Sequence, residues 1–210
     1  MKTDDLIAAL AADATPRPGP GTRLNQCLSL SLLVSLVAVI ALWRLRPDLA
    51  DALASPVVLK TLLPAVLAVA ALWLARGLSR PDAQARAQMA LIAVLIGGVV
   101  IAFTVNLVNA GFDGLVAALN NQYLLVCFVS VPALAAVPLA ASMWAMKSGA
   151  PANARLAGGA AGLLSGAAGA AVFSLHCPVD SLLFLLPAYG AAILVVVGVG
   201  AFLGPRVLRW

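Results

Sequence analysis

Residues 114–146 read GLVAALNNQYLLVCFVSVPALAAVPLAASMWAM, and none of these 33 positions is charged. A helix crossing the hydrocarbon core takes about 20 mostly apolar residues. The stretch after Asn120, Asn121 and Gln122 therefore supplies one crossing, 123–145, preceded by a short polar loop. Working outward, five more runs meet the same criterion: 24–43, 56–75, one within 87–112, one within 156–175 and one within 182–203. The second carries one charge near its start, Lys60, which is expected to snorkel to the interface. None of the runs shows the alternating polarity of a membrane strand. The expected fold class is all-α, a polytopic membrane protein with a six-transmembrane-helix bundle.

Composition agrees. The chain has 210 residues, 63% hydrophobic and 10% charged, and a mean hydropathy of +1.04. A soluble domain carries roughly 25% charged residues. Disorder is excluded by the same wealth of apolar side chains. All eight acidic residues are Asp, and there are one His and three Cys. This inventory is too poor in general acids, bases and nucleophiles for an enzyme.

Orientation follows from Lys and Arg. Six crossings put both termini on one side. That side holds Lys2, Arg17, Arg23, Arg76, Arg80, Arg86, Lys147, Arg155, Arg206 and Arg209, against Arg44, Arg46 and Lys60 on the other. Ten against three places both termini in the cytoplasm, and the first apolar run starts too late and runs too long for a signal peptide. The expected organisation is a cytoplasmic segment 1–23, a transmembrane domain 24–205 and a cytoplasmic tail 206–210. The net charge of +5 belongs to the inner loops, so the lipid bilayer is a partner and nucleic acid is not a direct one.

Small residues fill 13 of the 15 positions 157–171, with Gly158, Gly162 and Gly166 four apart. Such a stripe lets a neighbouring helix approach closely, so span five is expected at the centre of the bundle. Pro64, Pro132, Pro138 and Pro187 fall inside spans, where they bend helices or free carbonyls. No Asp, Glu, Arg or His lies at mid-membrane, where a coupled transporter would carry one.

This topology puts Cys27 at the inner start of span one. Cys127 lies in the first turns of span four and Cys177 in the loop between spans five and six, so both are on the outer face. The loop reads Ser174-Leu175-His176-Cys177-Pro178-Val179-Asp180-Ser181. Cys127, Cys177, His176 and Asp180 make a candidate thiolate, imidazole and carboxylate set for a soft or borderline metal, or a redox pair. Cysteine in a membrane helix is also commonly just a small apolar residue, and there is no Cys-x-x-Cys. No permanently bound cofactor is expected, only a transient heavy-metal ion.

At the amino terminus Thr3 is an N-cap candidate. Asp4 and Asp5 suit the positive end of a helix, and Leu6, Ile7 and Leu10 form one apolar face. Pro16, Pro18 and Pro20 follow as a stiff tether. So short a helix needs a surface to fold on. Three Asp against one Lys favour a protein partner over the bilayer.

Taken together, the chain resembles the NrsF-type integral-membrane anti-sigma factors of bacteria. The resemblance rests on Met1-Lys2-Thr3-Asp4-Asp5-Leu6-Ile7 with Leu10, on Lys60 and Pro64, on Cys127, on Leu175-His176-Cys177 with Asp180 and Ser181, and on Arg206-Val207-Leu208-Arg209-Trp210. It covers nearly the whole chain. It departs at Pro187-Ala188-Tyr189, where a Trp near the Tyr would be expected, and Cys27 lies outside the pattern. The resemblance implies a protein of the cytoplasmic (inner) membrane that holds an extracytoplasmic-function sigma factor and releases it under heavy-metal or oxidative stress. By the same resemblance, the two outer cysteines, at 127 and 177 here, sense the stress. Two rival readings are a small transporter or metal exporter, for which the spans offer only Thr104, Asn106, Asn109 and the prolines, and a membrane thiol redox protein.

Overall fold

The computed structural model describes residues 3–12, 19–81 and 85–209, with the side chain of Leu10 outside the description. It is all-helical. Helix α1 spans Thr3–Ala12 and α2 spans Pro20–Ala38, continuing as a π turn over Val39–Trp43. A short α3, Leu49–Ala54, and a 3-10 turn, Pro56–Val58, lead into α4, Leu59–Leu78. Then come α5, Arg86–Leu119, α6, Tyr123–Met146, α7, Ala154–Phe173, and α8, Leu182–Val207. Six of these segments are long and apolar enough to cross a membrane, so the chain is a multi-pass membrane protein.

The expected runs are all present, with shifted ends. The first crossing begins at Pro20, inside the segment assigned to the amino terminus, because proline is pre-organised for a first helical turn. The third is longer than expected. Helix α5 runs to Leu119 and breaks only at Gly111, whose φ of +70° suits a residue without a Cβ. The helices also run on through Pro64, Pro132, Pro138 and Pro187.

Helix α7 lies at the centre, with 72% of its span buried against 6% for α5. The glycines explain this. A Cβ on Gly158 would strike the backbone oxygen of Gly200, one on Gly162 that of Val196, and one on Gly204 that of Ala154. The stripe is therefore spent on the α7–α8 contact within one chain. On the other side of α7, Gly169 meets the backbone of Val131 in α6.

One of these prolines is reconciled with the apolar medium by a neighbouring hydroxyl. Pro138 has no N–H for the carbonyl of Leu134, one turn back. The Ser35 hydroxyl of α2 donates to that carbonyl at 2.9 Å, tying α2 to α6.

The amino-terminal helix forms as expected, and Thr3 is part of it, with the residues before Thr3 outside the description. Asp4 and Asp5 stand in the first turn. All its described side chains are exposed, including Leu6 and Ile7. Lys2, Asp13, Pro16 and Pro18 lie outside the described residues.

Candidate functional site

The end of the bundle opposite the termini gathers residues from five segments. Helix α7 finishes at Phe173, whose carbonyl accepts from the N–H groups of both His176 and Cys177, closing a tight turn. Pro178 cannot extend that turn. The chain therefore runs extended through Asp180 before α8 begins. The turn points the Cys177 side chain inward, where Phe173, Phe184 and Tyr189 pack around it.

Cys127, from the second turn of α6, meets it there. The two sulfurs stand 3.7 Å apart, both fully buried and not bonded to each other. With the Cys127 thiol donating to its sulfur and the positive charge of Lys60 nearby, Cys177 is held below the usual thiol range, against the opposing effect of burial. The Tyr189 hydroxyl is buried near the same sulfur without a conventional hydrogen bond.

Lys60 corrects an expectation. Its side chain does not snorkel outward but is 3% exposed. The ammonium donates to the carbonyls of Cys177 and Val179, the latter at 2.8 Å, and to Asp180 Oδ1 at 2.9 Å. These carbonyls lie in the irregular stretch between α7 and α8, where no helical N–H reaches them, and the Asp180 carboxylate beside them is negative. A cation buried against them satisfies both needs. One residue on, the Thr61 and Ser174 hydroxyls bond at 2.7 Å, fastening α4 to the end of α7 a second time.

Asp180 is shared. Arg46, 6% exposed at its side chain, donates through both terminal nitrogens to Asp180 and through Nε and Nη2 to Asp48. Burial pushes the Asp180 carboxyl up, and the hydrogen bonds from Arg46 and Lys60 overcome this and hold it below the ordinary carboxylate range. The Arg46 hydrogen bond draws Asp48 down to about 2. The same two bonded carboxylates raise Arg46 above its usual value.

His176, the neighbour of Cys177 in sequence, faces elsewhere. Its Nδ1 donates to the carbonyl of Arg44 at 2.9 Å and its ring tilts against Phe173. Arg44 sits at φ +64°, an uncommon conformation for a residue with a long side chain. Beside it the Arg46 N–H donates to the Leu175 carbonyl. These bonds stitch the loop after the first crossing to the loop after the fifth.

The structure thus separates the sequence-derived set. It brings Cys127 and Cys177 together, commits Asp180 to two cations and sends His176 to a backbone carbonyl. Among the described residues no group of three or more His, Cys, Asp or Glu side chains is placed to hold a metal ion. Two facing thiols fit a thiophilic ion bridged by two sulfurs better than a four-coordinate site. Sequence reasoning missed Arg46 and the clamping role of Lys60. Both lie among the three cations that run against the charge bias, and that exception was the available signal.

Residues 10–210 match the family model described as NrsF, negative regulator of sigma F. The anti-sigma-F factor NrsF of Caulobacter vibrioides is 32% identical over 214 aligned positions, and the probable anti-sigma-F factor NrsF of Azospira oryzae is 35% identical over 222. Each alignment covers 100% of this chain and of the relative. No solved structure matches.

Proposed function

The chain belongs to the NrsF family, a family of regulators and not of enzymes, and from that premise we propose that it restrains its sigma factor at the membrane and releases it through chemistry at Cys127 and Cys177. The sigma factor is of the extracytoplasmic-function class. Both termini face the cytoplasm, and the thiol pair faces the oxidising side of a bacterial inner membrane. The acidic first turn of α1 and its exposed Leu6 and Ile7 supply the docking surface, to which Thr3, Asp4, Asp5 and Leu10 also belong. Ten cations against three at the two ends support the orientation.

One observation carries the sensing half: two buried sulfurs 3.7 Å apart on separate elements. Oxidation by a peroxide joins them, the two thiols giving up two protons and two electrons as the peroxide becomes two waters. A thiophilic cation instead displaces the two protons and bridges the sulfurs. The disulfide, with its sulfurs about 2.05 Å apart, draws the turn after α7 toward α6, and a two-coordinate ion, with bonds of about 2.3 Å to each sulfur, spreads the pair instead; both displace Cys177. Because Lys60 grips the carbonyl of Cys177, α4 feels the same displacement. A stimulus that binds the two states unequally is what a switch requires, and thiol chemistry provides it.

The test is co-purification of the cognate sigma factor with the full-length chain, before and after treatment with peroxide or a thiophilic metal. The double substitution Cys127→Ser with Cys177→Ser should keep the complex and abolish release. Release that survives in this variant overturns the sensing half. Deleting residues 2–13 should abolish binding, and binding by the shortened chain overturns the docking half.

A further inference from the structure

At the opposite end of the molecule from the thiols, a crevice of about 920 Å³ opens between α5 and the faces of α4, α7 and α8. This is at the upper end of the roughly 300–1,000 Å³ that ligand sites occupy. Its walls are apolar, with Leu78, Met89, Ile96, Leu163, Leu194 and Val197 among them. Several, including Met89, Ile96 and Leu194, are substantially exposed, so the crevice is open sideways to the membrane.

Its depth is set by helix geometry. The lining runs from Arg86 to Ile96 on α5 and from Arg155 to Leu163 on α7. At 1.5 Å per residue these runs reach about 12–15 Å into the bilayer. The hydrocarbon core is about 30 Å thick, so the crevice is one leaflet deep.

The mouth is cationic. Arg80, Arg86 and Arg155 line the same crevice at the terminus end, and no ion pair among the described residues involves them. A second hollow of about 500 Å³ shares Asn153 and Arg155 with the crevice and adds Arg209. An apolar slot one leaflet deep, ending in a basic chamber, has the form of an amphiphile with a negative head.

We propose that this crevice seats one anionic glycerophospholipid of the terminus-side leaflet. Its tails lie between α5 and the α7–α8 pair, and its phosphodiester lies among Arg80, Arg86 and Arg155. Guanidinium forks match phosphate oxygens in pairs, and basic pockets between membrane helices are suited to such headgroups. The lipid would replace the helix–helix contact that α5 lacks along this face.

The full-length chain is reconstituted in nanodiscs of equimolar phosphatidylglycerol and phosphatidylcholine, extracted in mild detergent and weighed by native mass spectrometry. One phosphatidylglycerol should be retained per chain, and phosphatidylcholine should not. The triple variant R80Q/R86Q/R155Q, altered only at exposed positions, should lose retention at least tenfold. The pair R23Q/K147Q, which removes inner charge away from the crevice, should not. Ala201→Phe, which fills the slot and leaves the arginines, should also displace the lipid, whereas glycerol phosphate added alone should not. Retention within twofold in the triple variant, equal retention of phosphatidylcholine, loss in R23Q/K147Q, insensitivity to Ala201→Phe, or displacement by glycerol phosphate each overturns the lipid seat. So does a result in which the three arginines matter only for co-purification of the sigma factor.

Discussion

Lys60 Nζ donates to Asp180 Oδ1 across 2.9 Å, joining the start of α4 to the segment that presents Cys177. Arg46 reaches the same carboxylate from the end of the first crossing. One loop is thus held by two cations from two other parts of the chain. The thiol contact sits inside this frame, since the Cys177 carbonyl is itself a Lys60 acceptor.

Replacing Lys60 by Met keeps the length of the side chain and removes the donor. The carbonyls of Cys177 and Val179 then lose a buried partner, while Asp180 keeps Arg46. Removing one member of a fully buried ion pair costs roughly 3–5 kcal/mol. Asp180 retains 31% of its side-chain exposure, so the expected loss is about 2 kcal/mol after that discount. The thermal midpoint in detergent should fall. In a Cys27→Ser background Cys177 should become open to a maleimide that the parent excludes. An unchanged midpoint with continued exclusion would show that the clamp is dispensable.

The α7–α8 contact makes a second expectation. A methyl group on Gly158 or Gly162 meets backbone, which cannot rotate aside as a side chain can. Overpacking costs about 1–3 kcal/mol, and Gly158→Ala or Gly162→Ala should fall at the upper end. Gly98 in α5 has nothing within 4 Å of an added Cβ. Gly98→Ala should therefore leave the unfolding midpoint where it is. Equal losses at all three positions would sink the steric explanation.

The six crossings were legible because charge is so costly in hydrocarbon that its absence marks each span. The central place of α7 was legible for a related reason: in lipid, close approach of small residues replaces hydrophobic burial as the packing force. Counting crossings put Cys127 and Cys177 at one end, but their contact depends on the turn closed by the Phe173 carbonyl, which no local pattern announces. Adjacency misled for His176, because successive residues in a turn face different ways. Lys60 and Arg46 were legible only as topogenic charges. What they bind lies more than 110 residues away, at Asp180.

The Ser35 hydroxyl offers a smaller, separate test. Ser35→Ala leaves the Leu134 carbonyl, already without a helical donor because of Pro138, with no partner in an apolar medium. Interhelical hydrogen bonds in membranes average about 0.6 kcal/mol and reach about 1.7. The upper half of that range is expected, since no water is at hand to substitute. Pairing the change with Pro138→Ala should cancel most of the loss, because the restored N–H satisfies Leu134 from within α6. A double-mutant cycle in detergent reads the coupling, and simple additivity would refute it.

Acid should open the thiol end of the bundle in a narrow window. Asp48 and Asp180 both have folded pKa values depressed below the unfolded carboxylate value, by Arg46 for the first and by Arg46 with Lys60 for the second. A depressed carboxylate stabilises the fold fully above its unfolded pKa, near 3.9, and loses that contribution as pH falls through the folded one. For Asp48 the folded value is about 2. These two carboxylates contribute no change between about pH 7 and pH 5, and between about pH 4 and pH 2 their loss should release the loop. Trp43 reports this directly, because its ring stands edge-on to Phe173 at 6.4 Å. In a variant with Phe at the other three tryptophans, the emission of Trp43 should stay constant down to about pH 4 and shift below it. Asp180→Asn, which keeps the shape and removes the charge, should show the shifted emission already at pH 7. A transition centred near pH 6 would point instead to the Cys177 thiol, held down to about 6 by its neighbours, as the controlling group.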